Sequence, residues 1–299
     1  MQTVAGLSST LGLSLGADNS KEFWNTVWEK ELTIWKRGEV LRPYTRNIYA
    51  YLQYLDQKDY FPSKVTADGP ALNFPFLIKS EENTTELLNG EKENAIVKSF
   101  LKGKRVAVPL CGDTTVIPYL AESGAALVVG ADLSEAGLAA QREHNFPGVD
   151  FTREEVRVGE ETVVVFEATV YSCVVRLFQG DFMLLPQCPA FTGSKIDFVY
   201  DRASFMAVNP ALRASYVKTV ASVLTEEAVA LVERPARVVD DRNGPPFSFS
   251  CEEINTLYET VTGRKYNVEV FINDPSRSAP EIVPGTPVYH QWLSLYPKK

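Results

Sequence analysis

A glycine and an aspartate, Gly112 and Asp132, are the residues whose types and spacing best suit the binding of a small molecule. An apolar run, RVAVPL from Arg105, leads into a turn at Gly112, and a second apolar run, ALVVGAD, ends on Asp132. In an open parallel sheet, ligands bind outside the carboxyl ends of the strands, and an acid about 20 residues beyond a glycine turn can accept hydrogen bonds from ribose hydroxyls. The pattern predicts a nucleoside site at the ends of two neighbouring strands.

The turn has fewer glycines than a dinucleotide site needs. It reads PLCGDT, with a single glycine in place of G-x-G-x-x-G, so a pyrophosphate would lack the second close approach of the backbone. A nucleoside without phosphates, such as S-adenosylmethionine, needs one close approach and a ribose acid. The alternative is that Asp132 only caps a helix that begins near Ser134, because Asp and Ser are common at helix starts.

Alternating strand and helix patterns position these residues. We predict strands at 104–109, 125–131 and 195–201, in EAVALVER and KYNVEVFI, and within 288–296, with helices at 93–101, 113–123, 134–145, 210–224 and 250–262. Two valine-rich runs flank Gly159 and predict a hairpin whose second arm continues into the third strand of the sheet, ending near Gln179. Together they predict an α/β fold with a doubly wound, mostly parallel seven-stranded sheet, because such alternation requires crossovers that cover both faces.

Composition limits the partners of the chain. With a net charge of -8 and no long Lys or Arg run, the chain lacks the basic face that nucleic acid requires. Its 4 cysteines, without C-x-x-C spacing, and its 2 histidines predict no metal site and no disulfide framework, and favour a reducing, cytoplasmic setting. No apolar run reaches transmembrane length, so we expect no membrane partner. We also expect a monomer.

The domain organisation is simple. We predict a disordered lead at 1–20 and a single domain over 21–299. Within that domain, 21–59 is aromatic-rich and helical, whereas 60–92 carries Pro, Gly, Asn and Ser without a clear period and predicts a loop or insertion.

Four motifs, in order along the chain, resemble the thiopurine S-methyltransferase family, a class I S-adenosylmethionine-dependent group. They are FWNTVWEKELTIW from Phe23, PLCG from Pro109, VYDRASFMAVNPALRASY from Val199 and NGPPF from Asn243. The resemblance spans roughly residue 22 to the C terminus. It implies a Rossmann-like class I methyltransferase fold with an N-terminal helical lid at 21–59, S-adenosyl-L-methionine as cofactor, S-adenosyl-L-homocysteine as product and a small-molecule methyl acceptor.

The resemblance also implies which residues form the site. The cofactor-binding residues would be Trp24, Trp28, Leu110, Gly112, Asp132, Leu133, Gln179, Gly180, Asp181 and Arg202. Trp35 and Arg202 would lie near the acceptor, and the guanidinium fork of Arg202 suits a carboxylate of the donor or an anionic acceptor. Asp181 could instead cap the chain before Leu184, and Asp201 could orient Arg202.

Three tryptophans carry the lid interpretation. Trp24, Trp28 and Trp35 are spaced by four and seven residues, which places them on one face of a helix or of a helix and its continuation. A ring face suits a cation such as a sulfonium, so these indoles could cover the donor. The alternative is a core-facing aromatic stripe, and the resemblance leads us to favour the lid.

Methyl transfer from a sulfonium is an in-line displacement, so the enzyme mainly positions the two reactants and excludes water. A thiol is partly ionised near neutral pH, so we predict no dedicated base and assign packing or surface roles to His144, His290 and Cys111. The predicted function is methyl transfer to the sulfur of a thiopurine or thiol, or to another soft nucleophile. A halide or thiol methyltransferase and a non-catalytic donor-binding protein are the alternatives. Asp113 stands where relatives commonly carry Lys, which leaves the acceptor open.

Overall fold

The computed structural model describes residues 21–30, 44–58, 60, 90–202, 204–237, 247–279 and 288–298. The predicted lead at 1–20, most of the predicted loop at 60–92, Trp35 and all of the NGPPF motif except Phe247 lie outside these residues. No helix in the described part of the chain is both long and apolar enough to cross a membrane.

Nine strands and eight α-helices are present in these ranges. The strands are β1 (Arg105–Val108), β2 (Leu127–Asp132), β3 (Thr152–Val158), β4 (Glu161–Val170), β5 (Cys173–Gln179), β6 (Ile196–Asp201), β7 (Leu224–Arg237), β8 (Tyr266–Ala279) and β9 (Val288–Pro297). The helices are α1 (Lys21–Glu29), α2 (Tyr44–Gln57), α3 (Gly90–Leu101), α4 (Val116–Glu122), α5 (Glu135–Asn145), α6 (Ser204–Ala207), α7 (Arg213–Val223) and α8 (Cys251–Thr262). Two 3-10 helices cover Phe182–Gln187 and Pro210–Leu212.

All strands belong to one sheet, in the order β3-β4-β5-β2-β1-β6-β7-β9-β8. The five central strands, β5 to β7 in that order, pair in parallel. The strands outside them pair antiparallel at both edges. The strand order therefore reverses about β1 within the parallel centre, which is where an open α/β sheet binds its ligands.

The predicted seven-stranded, mostly parallel sheet was wrong in two respects. The sheet is mixed, and a separate hairpin, β3 and β4, pairs alongside β5. We expected the second arm of the hairpin to run on into the third central strand, but β4 ends at Val170 and a turn reverses the chain. The turn residues Tyr171 and Ser172 have φ of 53° and 66°. Gly and Asn usually supply such positive φ values, and neither stands here, so the sequence carried no turn signal.

Apolar cores on both faces of the sheet confirm the doubly wound arrangement. Alternate residues of the central strands enter different cores, because successive side chains of a strand point to opposite faces. Val106 and Val128 pack with α2 to α5 on one face. Ala107 and Val129 pack with α6 to α8 on the other. The loops at the carboxyl ends of the central strands are thereby fixed between two helical layers.

Candidate functional site

Asp132 is the last residue of β2, and its carboxylate joins two neighbouring loops. Oδ2 accepts a hydrogen bond from the backbone N–H of Gly112 at 2.8 Å, and Oδ1 accepts one from the backbone N–H of Ser134 at 2.8 Å. β1 and β2 pair in parallel, so the turn after β1 and the loop after β2 leave the sheet at the same edge. The structure thus brings Gly112 and Asp132 together as predicted.

The environment of Asp132 affects its ionisation and its free hydrogen-bonding capacity. Burial raises the pKa of its carboxyl to about 6, against the opposing effect of the two backbone N–H donors. The negative charge of Asp113 raises the pKa further. An ionised carboxylate offers about four lone-pair sites. The hydrogen bonds from Gly112 and Ser134 use one site on each oxygen, and a backbone contact from Leu133 also favours the ionised form.

The alternative role for Asp132, a helix cap, belongs to its neighbour. Ser134 is the N-cap of α5, and its hydroxyl oxygen accepts the backbone N–H of Gly137 at 3.2 Å. Asp132 supports this cap by accepting the Ser134 N–H. Ser134 therefore caps α5, and the Asp132 carboxylate stays oriented toward the turn after β1.

The turn after β1 is tightly bent and tied to β2. Leu110 and Gly112 have φ of 43° and 51°, a region that is strained for a leucine. The backbone N–H of Cys111 donates to the carbonyl of Ala131 at 2.8 Å. The Cys111 side chain is buried, and burial raises the pKa of its thiol well above the usual value. This confirms the packing role that we predicted for Cys111.

Trp28 of α1 packs directly on the site. Its side chain is 8% exposed, and the indole occupies the space that a side chain would need at two glycines. A Cβ on Gly112 would lie 2.7 Å from Trp28 Cζ2, and a Cβ on Gly137 would lie 2.9 Å from Trp28 Cε2. Gly112 is therefore required for contact with Trp28 as well as for its positive φ. For Trp28 the structure shows the packing that we named as the alternative, and the lid stays a prediction.

A polar contact accompanies the Trp28 packing. The hydroxyl of Ser134 donates to Oδ1 of Asn25 at 2.9 Å. Trp24 lies on the same helix and is half-buried, with its ring edge-on to Phe23 at a centroid distance of 5.2 Å. Helix α1 thus packs on the N terminus of α5, next to Asp132. No sequence pattern pointed to Gly137 and Ser134 as its partners.

The end of β5 forms the next part of the same edge. Gln179 pairs with Asp132, and the Gly180 N–H donates to the Asp132 carbonyl at 3.0 Å. A Cβ on Gly180 would lie 2.8 Å from Val163 Cγ1, so the hairpin packs against this glycine. Asp181 caps the 3-10 helix, with Oδ1 accepting the Met183 N–H at 2.9 Å. This is the capping role that we weighed against its predicted ligand contact.

The end of β6 is held by side chains from distant parts of the chain. The buried Asp201 carboxylate accepts the Tyr216 hydroxyl at 2.7 Å, and it accepts the backbone N–H groups of Ser204 and Phe205 at 3.1 Å each. Burial raises the pKa of Asp201. The Ser204 hydroxyl donates to the Pro109 carbonyl, which links this loop to the turn after β1.

Arg202 pairs with a residue that the sequence did not identify. Its Nε lies 3.6 Å from Oε2 of Glu233, and the two side chains are only 7% and 5% exposed. We expected Asp201 to orient Arg202, but the Asp201 carboxylate bonds to Tyr216 and the α6 backbone instead. The only available signal for Glu233 was its place at the end of an apolar run in EAVALVER.

Of the remaining sequence candidates, two lie at the same edge and two lie elsewhere. Leu133 follows Asp132 and is half-buried at the same edge, and His144 is exposed on α5. His290 lies on β9, among residues whose side chains are not described. Asp113 is half-buried beside Gly112, and its carbonyl accepts the Asn145 amide at 2.7 Å.

The sheet order and this edge define a Rossmann-type α/β protein, a class that binds its ligands at the carboxyl ends of the central strands, here β1, β2 and β5. A protein-family model described as Thiopurine S-methyltransferase matches residues 91–281. The chain therefore belongs to the thiopurine S-methyltransferase family, which confirms the resemblance. The tryptophan motif of α1 precedes the matched residues.

Curated relatives are similar over part of their length. A thiopurine S-methyltransferase from Shewanella loihica is 32% identical over 50% of this chain and 62% of its own length. Another, from Shewanella baltica, is 34% identical over 49% of this chain and 61% of its own length. The chain thus spans less than two thirds of these relatives. A solved magnesium protoporphyrin IX methyltransferase from Synechocystis PCC 6803 with bound SAM is 13% identical, with a TM-score of 0.48 over 94% of this chain and 99% of that chain.

Proposed function

We propose that this protein transfers a methyl group from S-adenosyl-L-methionine to the sulfur of a small thiol or thiopurine, or to a comparable soft nucleophile. The observation that supports this most is the Asp132 carboxylate, held between the N–H groups of Gly112 and Ser134. Membership of the thiopurine S-methyltransferase family supports both the donor and the reaction class.

The donor end of the crevice would lie over β1, β2 and β5. The remaining lone pairs of Asp132 would accept the two ribose hydroxyls, since charge-assisted hydrogen bonds are strong. Leu133, Gln179, Gly180 and Asp181 would border the adenine. The backbone at Leu110 and Gly112 would contact the remaining part of the donor.

Helix α1 would close the donor end. Trp28 is fixed against Gly112 and Gly137, which leaves the half-buried Trp24 on the same helix as the indole that would face the donor sulfonium through its ring. The helix would then exclude water from the reacting atoms. In this arrangement Trp28 packs against the fold and Trp24, one turn earlier on the same helix, covers the donor.

S-adenosyl-L-methionine, when bound, supplies an electrophilic methyl group on a sulfonium. The acceptor would lie between the turn after β1 and the ends of β6 and β7, near Arg202 and Asp113, with Trp35 as a further candidate. A thiol acceptor with a pKa near 8.5 is partly ionised at neutral pH. The chain's part in the reaction would therefore be to align the acceptor sulfur with the methyl carbon.

A methyl-transfer assay with labelled donor tests the function. We expect labelled product with at least one member of a panel of thiols, thiopurines, selenide, tellurite and halides, and stronger transfer to sulfur than to halide. Preferential transfer to halide would favour a halide methyltransferase. Donor binding by calorimetry without transfer to any acceptor would support a non-catalytic protein and contradict the proposal.

A further inference from the structure

Two charged side chains, Arg202 and Glu233, meet near the carboxyl end of β6, where we place the acceptor. β6 and β7 are parallel, and Asp201 pairs with Val232, so Arg202 and Glu233 follow side by side just beyond the carboxyl end of β6, while β7 continues to Arg237. The distance between Arg202 Nε and Glu233 Oε2 is 3.6 Å. This pair lies at the same edge of the sheet as Gly112 and Asp132.

The pair is not explained by stability alone. Both side chains are almost fully buried, at 7% and 5% exposed. Removing two charges from water is costly, and apolar residues of similar volume often stabilise a fold as well or better. A buried ion pair beside the carboxyl end of β6, at the edge where this fold class binds ligands, is therefore better explained by its electric field at the proposed acceptor site.

The field of the pair depends on Glu233. Arg202 alone would place one positive charge at the acceptor end, and a charge in a poorly solvated site interacts strongly with a ligand charge. The carboxylate of Glu233 offsets that charge. An acceptor with a second negative group, such as a carboxylate, then gains little from Arg202 and still loses its hydration.

We propose that Glu233 is a specificity-determining residue that, by neutralising Arg202, makes the site favour thiols without a second negative charge over carboxylate-bearing thiols. This inference rests on the proposed transfer to sulfur. Glu233 acts through Arg202 and through its own charge, with no bond to the reacting atoms.

A second buried arginine provides a matched control. Arg213 of α7 is 3% exposed and pairs with Glu253 of α8, whose side chain is 40% exposed. Its guanidinium also donates to the Ser248 carbonyl at 3.2 Å and lies over the ring of Phe205 at 5.0 Å. Glu253→Gln removes the same charge from beside a buried arginine that is bound to the helical layer on one face of the sheet.

The experiment compares 4-mercaptobenzoate with 4-methylbenzenethiol, two acceptors of similar shape that differ in charge. In Glu233→Gln, we expect the ratio of kcat/KM for the charged acceptor over the neutral acceptor to rise about tenfold relative to the unmodified protein. Glu233→Asp should restore the original ratio, and Glu253→Gln should leave it unchanged. Arg202→Gln should shift the ratio in the opposite direction, which provides a test should Glu233→Gln not fold.

Binding of the methylated products, 4-(methylthio)benzoate and 4-methylthioanisole, in the presence of S-adenosyl-L-homocysteine gives a readout that needs no turnover. If no acceptor is methylated but the binding ratio shifts as described, the proposed function fails and the role of Glu233 stands. An unchanged ratio in folded Glu233→Gln or Arg202→Gln would overturn the role of Glu233, as would an equal shift in Glu253→Gln.

Discussion

The proposed donor half of the site, around Asp132, and the proposed acceptor half, around Arg202, are held together in different ways. At the donor half, one carboxylate, Asp132, is bonded to main-chain groups within a short span of sequence, Gly112 and Ser134. At the acceptor half, Arg202 pairs with Glu233, and Asp201 bonds to Tyr216. The donor half is held by hydrogen bonds from backbone N–H groups, which do not depend on the identity of the side chains. The acceptor half is held by contacts between side chains that come from separate strands and helices.

This difference predicts that donor affinity and acceptor choice depend on different residues. Donor affinity should respond to changes around Asp132 and α1, whereas changes around Asp201 and Glu233 should affect stability or acceptor choice. Substitutions of Tyr216 or Glu233 should therefore leave donor affinity intact, since the effects of distant substitutions are usually additive.

The largest expected effect is on the stability of the acceptor half. Tyr216→Phe removes the hydroxyl that donates to the buried Asp201 carboxylate at 2.7 Å. A buried charge left short of a donor should lower the free energy of unfolding by about 3 kcal/mol. Urea denaturation measures this loss. Tyr119→Phe is the control, because that hydroxyl bonds to the neutral Thr45 side chain at 2.7 Å and should cost about 1 kcal/mol. If the Tyr216→Phe protein binds the donor more weakly under conditions where it is fully folded, the two halves are not independent.

The next effect concerns the packing of α1 against α5. Gly137→Ala places a Cβ 2.9 Å from the Trp28 indole, and such overpacking should lower the free energy of unfolding by about 2 kcal/mol. In a Trp28→Ala background the same substitution should instead stabilise, by up to about 1 kcal/mol, because Ala is the better helix former. Thermal and urea denaturation of the four proteins in this cycle measure the change of sign. A loss of the same size in both backgrounds would show that Trp28 does not occupy this space.

Donor binding should weaken in acid by about tenfold between pH 7 and pH 5. The pKa of Asp132 is raised to about 6, so the carboxylate gains a proton as the pH falls through that value and loses an acceptor for the ribose. The same raised pKa makes the free protein more stable as the pH falls from 6 toward 4, because only the folded state takes up this proton there. Calorimetric titration with S-adenosyl-L-homocysteine at several pH values tests this. Asp132→Asn should have weak binding without this pH dependence, and an equal dependence in that variant would assign the effect to another group.

The smallest effect distinguishes two helix caps. Ser134 caps α5 at the donor half, and Ser250 caps α8 by accepting the Glu253 N–H at 3.0 Å. Each Ser→Ala substitution should cost about 1 kcal/mol of stability. Ser134→Ala should also weaken donor binding, because Ser134 contacts Asn25 of α1. Denaturation and calorimetry on both variants test this, and equal donor affinity in the two would place α1 outside the donor site.

The same difference explains what the sequence could predict. The turn at Gly112, the strand end at Asp132, the helix start at Ser134 and the parallel centre follow from local patterns, and the structure confirms them. The fit of Trp28 between Gly112 and Gly137 and the pairing of Arg202 with Glu233 join residues far apart in the chain. No local spacing encodes such contacts. The turn at Tyr171 and Ser172 was missed because its residue types are unusual for positive φ.

Donor affinity measured in two variants, one from each half, tests the account most directly. Titration of S-adenosyl-L-homocysteine into Asp132→Ala should show binding weakened by at least about tenfold, because a charged acceptor of ribose hydrogen bonds is lost. Glu233→Gln should bind the same ligand within about twofold of the unmodified protein. Asp197→Ala is the matched control, since this carboxylate also accepts a backbone N–H, from Arg105 at 2.9 Å, but at the opposite end of the strands. Unchanged affinity in Asp132→Ala would contradict the assignment of the donor site.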